Sequence, residues 1–299
     1  MNPDQQPRRF RRLSRAALVA SAGLTLCLAA PGLASATPNG PGATPPLPTV
    51  GQYSPQAARP LSGAEQQSNA TKLARAAAHY RSRLAQVANA DRVSPNATAS
   101  TLAVGYQQQI NEDFCGAATT AMITDYLGIG WSGSATTQQT KAGHLLATDE
   151  DGNSGTAWYG TDNVPSYPQS SWYPVQDALN YLLYTKKNHY WYNPVPLPGS
   201  PTSSQAGEYE QNLVFDVDEK YPVAANQDSV PGFQIGYQPS GYWQHWWVGR
   251  GYAGTGSTTY FNDPAQWSQS RMSTAPSWGG DSAHHHTVVE ALGARGYIW

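Results

Sequence analysis

One segment, Gln107–Tyr126, constrains the fold most, because a polar run gives way there to a helical pattern at a cysteine. Behind Cys115, Ala118, Met122 and Tyr126 recur at the spacing of an inward-facing helix face. Gly128 is placed to end that helix. The pattern therefore predicts a helix that begins at or near Cys115. At such a start, unpaired backbone N–H groups and the positive end of the helix dipole favour a thiolate over a thiol.

Residues 1–36 have the three parts of an export signal. Arginines within Arg8–Arg15 form a positive start, Ala16–Leu33 is an apolar run, and Ala34–Ala36 offers small residues for cleavage. The sequence therefore predicts a secreted protein that begins near Thr37, with the Sec and twin-arginine routes both left open. No later stretch is apolar for long enough to be expected to anchor it in a membrane.

Removal of this segment would leave the protein with one thiol. The chain has two cysteines, and Cys27 lies inside the apolar run, after a leucine where a lipid-attachment motif would have a small residue. Cys115 would then be a cysteine of an exported protein without a disulfide partner, which marks it as a candidate reactive group. The alternative interpretation is a buried cysteine that packs as a small hydrophobic residue.

The charge of the chain argues against nucleic acid or an anionic membrane as a partner. Removing five arginines and Asp4 with the signal reduces the 18 basic and 20 acidic residues of the chain to 13 and 19, a formal charge of about −6. Such an excess of carboxylates repels phosphate groups. We expect a peptide or protein substrate instead, and a monomer.

Residues 37–101 are predicted to form a linker rich in Pro, Gly and Ala, followed by one amphipathic helix. In Gln66–Arg92 the apolar residues alternate at steps of four and three, with basic residues such as Lys72 on the other faces. The predicted inward residues are Leu73, Ala77, Tyr80, Leu84 and Val87. A pro-segment, an arm on the main domain and an oligomer contact all fit this helix, and packing on the main domain is favoured.

Residues 102–299 have the composition of one compact domain of about 200 residues, poor in charge and rich in Trp and Tyr. The polar stretch 131–171 is interpreted as a loop. The predicted elements are helices Tyr173–Lys187 and Gln205–Glu219, then strands Tyr221–Asn226, Tyr242–Tyr252 and Thr258–Asn262. Helices followed by strands predict the α+β class, with a helical half packed on an antiparallel sheet.

A thiol nucleophile requires a base within hydrogen-bond reach and a third group that orients the base. His245 lies early in the predicted strand Tyr242–Tyr252, and Asp263 follows the next strand. A short hairpin can bring the two together, with Asp263 accepting the Nδ1 proton and Nε2 facing Cys115. Gln109, six residues before Cys115, can direct its amide to the same space as the Cys115 N–H, which would form an oxyanion hole. The alternative for this glutamine is a solvated polar loop.

Three motifs together resemble a known family. They are Gln109-x5-Cys115-Gly116-x-Ala118, then His245-Trp-Trp-Val-Gly-Arg-Gly-Tyr252, then Asn262-Asp263-Pro264. In this order and spacing they are similar to the secreted branch of the bacteriocin-processing, or double-glycine, cysteine peptidases, family 39 of the papain-like clan. The similarity extends from about Gly105 to Trp299. It implies a papain-like fold with Cys115 as nucleophile and His245 as base. It also implies Asp263 as the orienting acid and Gln109 in the oxyanion hole.

Some features depart from the family pattern. Ala117 stands where the family usually has Pro, which a helix start tolerates. Glu112 and Asp113 would oppose a thiolate if they lay close to it. The chain has no transporter segments, so the leader-cleaving role of membrane-bound relatives is not expected. A non-catalytic papain-like module that binds peptide or cell-wall material is the alternative function, whereas Phe114 before the cysteine does not fit a cell-wall endopeptidase of the NlpC type.

No metal or cofactor is expected. Asp149–Asn153 resembles a calcium loop, but its glycine is misplaced and Gly160 stands where the bidentate glutamate would be. The three histidines His284–His286 are consecutive, so they cannot all face one ion on a regular element. A surface loop beside the sheet is the favoured interpretation of that tract.

Overall fold

A computed structural model describes residues 61–90, 99–111, 113–148, 155–229, 243–267 and 280–299. In chain order the elements are α1 Gly63–Ala90, β1 Ser100–Thr101, α2 Cys115–Tyr126, α3 Ala135–Leu145, α4 Pro174–Lys187, β2 Pro194–Pro196, α5 Ser203–Asp218, β3 Val223–Ser229, β4 Trp243–Ala253, β5 Thr258–Asn262, β6 Gly280–His284, α6 His285–Ala291 and β7 Gly296–Ile298. The candidate signal peptide and the calcium-loop candidate lie outside these ranges. Within them, every helix is too short or too polar to cross a membrane.

The strands of the described ranges form one antiparallel sheet. Their order is β2-β7-β3-β4-β5-β6, and β1 pairs with β4. Strand β4 is central, since β3 pairs with its first half and β5 with its second half. Helices α2 and α5 both contact β4. Most helices precede most strands, which confirms the predicted α+β class.

Local signals explain where the helices begin and end. Thr202 caps α5 in a capping box, in which its hydroxyl accepts from the Gln205 N–H and the Gln205 side chain accepts from the Thr202 N–H. Pro174 occupies the first turn of α4, where a missing N–H costs nothing. Helix α2 ends at Tyr126, and Gly128 then adopts a left-handed φ of 64°.

The prediction of a loop over residues 131–171 is wrong, because α3 lies within it. Ser134 caps α3 by accepting a hydrogen bond from the Thr137 N–H at 3.2 Å. The buried positions of α3 include Gln138, Gln139 and Gly143. A helix with glutamines and glycine on its inner face gives no hydrophobic period, so periodicity could not reveal it.

The prediction of a surface loop for His284–His286 is also wrong, since α6 begins inside the tract. The His284 side chain accepts from the His286 N–H at 3.4 Å and caps the helix. His285 is buried, with Nδ1 3.2 Å from the Ser257 carbonyl oxygen and Nε2 3.5 Å from a Glu210 oxygen. The contacts of His285 with Ser257 and Glu210, which are distant in sequence, hold the His284–His286 tract at the start of α6.

Helix α1 packs on the main domain through a face that mixes apolar and polar side chains. Leu84, predicted to point inward, is 42% exposed, whereas Lys72, predicted to point outward, is only 6% exposed. The predicted face is therefore right for Leu73 and Tyr80, which pack against the core, and wrong for Leu84 and Lys72. His79 and Arg83 add polar contacts, since both reach Asp218 at the end of α5, at 2.8 Å and 3.1 Å.

The Lys72 ammonium lies in a cage of one carboxylate and aromatic rings. Its Nζ is 3.0 Å from Asp216 Oδ1, and it lies 4.5 Å and 4.3 Å from the ring centroids of Trp191 and Trp299. Burial dominates the ionisation of both partners: it lowers the pKa of Lys72 to about 8 and raises that of Asp216 to about 6, although each partner opposes the shift of the other. Desolvation thus outweighs pairing, as in many buried ion pairs.

We expect Lys72→Ala to lower the free energy of unfolding by about 3–5 kcal/mol, because it leaves the buried Asp216 without its cation. The double variant Lys72→Met/Asp216→Leu should recover most of this loss, since it removes both charges. Urea unfolding would measure these values, with the exposed Lys141→Ala as control. A Lys72→Ala protein as stable as the wild type would show that α1 is not held by this pair.

Candidate active site

Cys115 is the first residue of α2 and is 7% exposed. Because α2 begins at Cys115, the positive end of the helix dipole lies at the thiol. Phe114, the N-cap residue, has no side-chain oxygen that could accept from the unpaired N–H groups of the first turn. The ring of Phe114 packs against Gly143 of α3, where a Cβ would come within 3.1 Å of it. The helix start is thus held by packing rather than by a polar cap.

The second half of the site comes from the pairing of β4 with β5. Val248 pairs with Asn262, so Asp263 leaves β5 beside the first half of β4, where His245 lies. His245 Nε2 is 2.6 Å from Asp263 Oδ1, and both side chains are buried. The same carboxylate oxygen accepts a hydrogen bond from the Ala265 N–H at 2.9 Å, which fixes its direction. The predicted hairpin therefore does bring this histidine and this aspartate together.

The predicted assignment of the ring nitrogens is wrong. Nε2 of His245, not Nδ1, contacts Asp263, which leaves Nδ1 for the sulfur of Cys115. Strand register brings Asp263, the residue after Asn262, to the half of β4 that carries His245. Which ring nitrogen meets the carboxylate then depends on the rotamer of His245, which no sequence pattern specifies.

The charge of His245 is decided by its two neighbours. Burial alone would lower the pKa of His245, because a charged ring loses its hydration. The charge and hydrogen bond of Asp263, together with a hydrogen bond and the charge of Cys115, outweigh burial and raise the pKa of His245 to about 10. The ring is therefore an imidazolium at neutral pH, held between a carboxylate and a sulfur.

Gln109 lies in the segment between β1 and α2, and it is buried rather than solvated. Its backbone N–H donates to the Pro264 carbonyl at 2.9 Å, which ties the segment to the residue after Asp263. Its side-chain Nε2 donates to the Asn111 carbonyl at 2.8 Å, inside the turn that leads into α2. A primary amide carries two N–H groups, so this contact is compatible with a bond to a substrate oxygen. The role of Gln109 as an oxyanion donor stays a prediction.

Thr156 contacts both halves of the site and was not expected from the sequence. A Cβ at Gly116 would lie 2.3 Å from its side chain, so glycine permits this close approach to the start of α2. The Thr156 carbonyl accepts a hydrogen bond from Trp246 Nε1 at 3.0 Å. Thr156 therefore joins the residue after Cys115 to the residue after His245. The glycine that follows the cysteine was the available signal of such a contact.

The acidic pair before the cysteine is described only in part. Glu112 lies outside the described residues. Asp113 is half-buried, and its backbone N–H donates to Asn111 Oδ1 at 3.0 Å. Across the described ranges, no three His, Cys, Asp or Glu side chains are grouped so that they could hold a metal ion.

A cysteine at a helix start and a histidine–aspartate pair on a following antiparallel sheet are the arrangement that thiol-dependent hydrolases use. Residues 101–284 match the Peptidase_C39 like family, and the chain belongs to that family. The α+β fold is accordingly papain-like. The matched range contains Gln109, Cys115, His245 and Asp263.

One solved structure is that of a candidate C39-like peptidase from Bacillus anthracis. The two chains are 16% identical, with a TM-score of 0.40, and the similarity covers 67% of this chain and 96% of that one. No curated protein matches this sequence.

Proposed function

We propose that this protein is a secreted cysteine peptidase that hydrolyses peptide or amide bonds through an acyl-enzyme. The observation that carries the proposal is His245, buried with Nε2 2.6 Å from Asp263 and hydrogen-bonded to Cys115. A buried imidazolium needs such partners to offset its lost hydration. A thiolate beside it is a nucleophile that needs no further activation.

In the first half of the proposed reaction, the Cys115 thiolate attacks the substrate carbonyl carbon and forms a C–S bond. The Cys115 N–H and the Gln109 amide would stabilise the oxyanion that develops. His245 then gives its proton to the leaving nitrogen as the C–N bond breaks. An amine leaves, and a thioester remains on Cys115.

In the second half, neutral His245 takes a proton from water while the water oxygen attacks the thioester. Collapse of this intermediate breaks the C–S bond, releases the carboxylic acid and restores the thiolate beside the imidazolium. Asp263 keeps the ring in one orientation and stabilises its charge in both halves, as the acid of a catalytic triad does. This route consumes one water per bond and uses no metal or cofactor.

The setting of the reaction is part of the proposal. The export signal of residues 1–36 would deliver the protein outside the cell, where we expect it to act as a monomer on a peptide or protein. The negative charge of the mature chain disfavours nucleic acid as a partner. An active exported thiol also agrees with a chain whose other cysteine, Cys27, lies in the signal.

We expect Cys115→Ala to abolish cleavage of fluorogenic peptides and His245→Ala to lower kcat by at least about 100-fold, the contribution of a general acid–base. Iodoacetamide should alkylate Cys115 about 10-fold more slowly in His245→Ala than in the wild type, since the imidazolium partner stabilises a thiolate. The exposed His144→Ala serves as the matched control. A wild type that cleaves no peptide and whose alkylation is unaffected by His245→Ala would favour the non-catalytic binding module.

The pH dependence of kcat/KM should report the ionisation of His245. Its pKa is raised to about 10, so the proton for the leaving amine is present at neutral pH and is lost as pH rises through that value. We expect kcat/KM to hold from neutral pH and to fall near pH 10. Asp263→Asn removes a charge that raises this pKa, so the alkaline limb should move to lower pH. A limb that stays in place in Asp263→Asn would contradict the proposed role of the carboxylate.

A further inference from the structure

The segment that carries Gln109 is held by a side chain of α3. Gln139 is fully buried, and its amide makes hydrogen bonds on both sides of residue 109. Oε1 of Gln139 accepts from the Ile110 N–H at 3.1 Å, and Nε2 donates to the Gln108 carbonyl at 2.8 Å. The side-chain amide thus takes the place of a neighbouring strand, offering one donor and one acceptor to the backbone.

Two further contacts complete the hold on this segment. The Gln109 N–H donates to the Pro264 carbonyl at 2.9 Å, so three successive backbone positions, 108 to 110, have fixed partners. Gln107 donates through Nε2 to Oε1 of Gln138, the neighbour of Gln139, at 2.8 Å. The glutamine run at residues 107–109, which the sequence alone allowed to be a solvated loop, is therefore held in one backbone conformation by these hydrogen bonds.

Helix α3 is also seated on the start of α2. Gly143 lies one helical turn after Gln139, on the same face. A Cβ at Gly143 would come within 3.1 Å of the Phe114 ring and 3.7 Å of Ala117 Cβ. Phe114 and Ala117 thus lie against the same face of α3 from which Gln139 holds residues 108 and 110. Helix α3 therefore contacts both the start of α2 and the segment that carries Gln109.

We infer that Gln139 is a positioning residue for the oxyanion hole, acting through Gln109. The inference rests on the proposed function and adds a residue that does not touch the substrate. Stabilisation of a developing oxyanion requires donors that are already in place when the charge forms. A side chain at position 139 can hold both neighbours of Gln109 only if it donates and accepts at once, which an amide does and a carboxylate or thioether does not.

The direct test is Gln139→Met, which keeps the side-chain length and removes both hydrogen bonds. We expect kcat to fall by about 10-fold or more, within the range for loss of one oxyanion donor, with KM changed by less than about 2-fold. Alkylation of Cys115 by iodoacetamide should stay within about 2-fold of wild type, because that displacement forms no oxyanion. Lys141→Ala, on the exposed side of α3, is the control. Parallel losses of kcat and alkylation would overturn the inference, since they would mean general damage to the site.

A double variant tests whether Gln139 acts through Gln109. If it does, Gln109→Ala/Gln139→Met should be no slower than Gln109→Ala, because the second change has nothing left to position. Effects on kcat that multiply would refute the inference. If Gln139→Met does not fold, Gln139→Glu replaces it, since the ionised side chain keeps the acceptor for Ile110 and loses the donor to Gln108. An intermediate fall in kcat is then expected, and unchanged kcat contradicts the inference.

A measurement without turnover separates failure of this inference from failure of the proposed function. A peptide aldehyde adds to a thiol to give a hemithioacetal, whose oxygen occupies the oxyanion position. We expect Gln139→Met and Gln109→Ala to weaken aldehyde binding by the same factor. Equal weakening in a protein that cleaves no peptide would reject the peptidase and retain the positioning role. Unchanged aldehyde affinity in Gln139→Met, with weakening in Gln109→Ala, would reject the positioning role alone.

Discussion

The hydrogen bond between His245 and Asp263 is the interaction on which the site depends. It joins two buried ionisable groups at 2.6 Å, and it exists because β4 and β5 pair with Val248 opposite Asn262. A shift of that pairing by one residue would turn the side chains of one strand to the other face of the sheet. The pairing of two strands thus decides whether Cys115 has a charged partner at all.

Two of the buried charge pairs among the described residues have different consequences. Lys72 and Asp216 join α1 to α5. Burial lowers the pKa of Lys72 and raises the pKa of Asp216, so it favours the neutral form of each. At His245 the balance is reversed, because Asp263 and Cys115 together outweigh burial and hold the ring charged. The first pair anchors a helix at a cost in desolvation. The second keeps a proton donor ready at neutral pH, which is what the proposed chemistry requires.

Short-range signals were enough to predict much of the fold and the contact between His245 and Asp263. Strand β5 was predicted with its observed bounds, and α2 with its observed start at Cys115. In both cases the residues that carry the hydrophobic periodicity and the residues that end the element are close in sequence. Long-range contacts decided what was missed. The inner face of α3 is polar because Gln139 pairs with the backbone at Gln108 and Ile110. The nitrogen that His245 turns to Asp263 depends on its rotamer in the folded site. No local pattern carries such information.

The proposed reaction requires a covalent intermediate on Cys115, which mass spectrometry of the intact protein during turnover would detect. After mixing with an activated peptide ester, we expect one acyl group on Cys115 that decays as the acid product appears. The adduct should be absent in Cys115→Ala and form slowly in His245→Ala, whose thiol lacks the imidazolium partner. An unmodified wild-type mass while product accumulates, or an acyl group on another residue, would rule out an acyl-enzyme on Cys115.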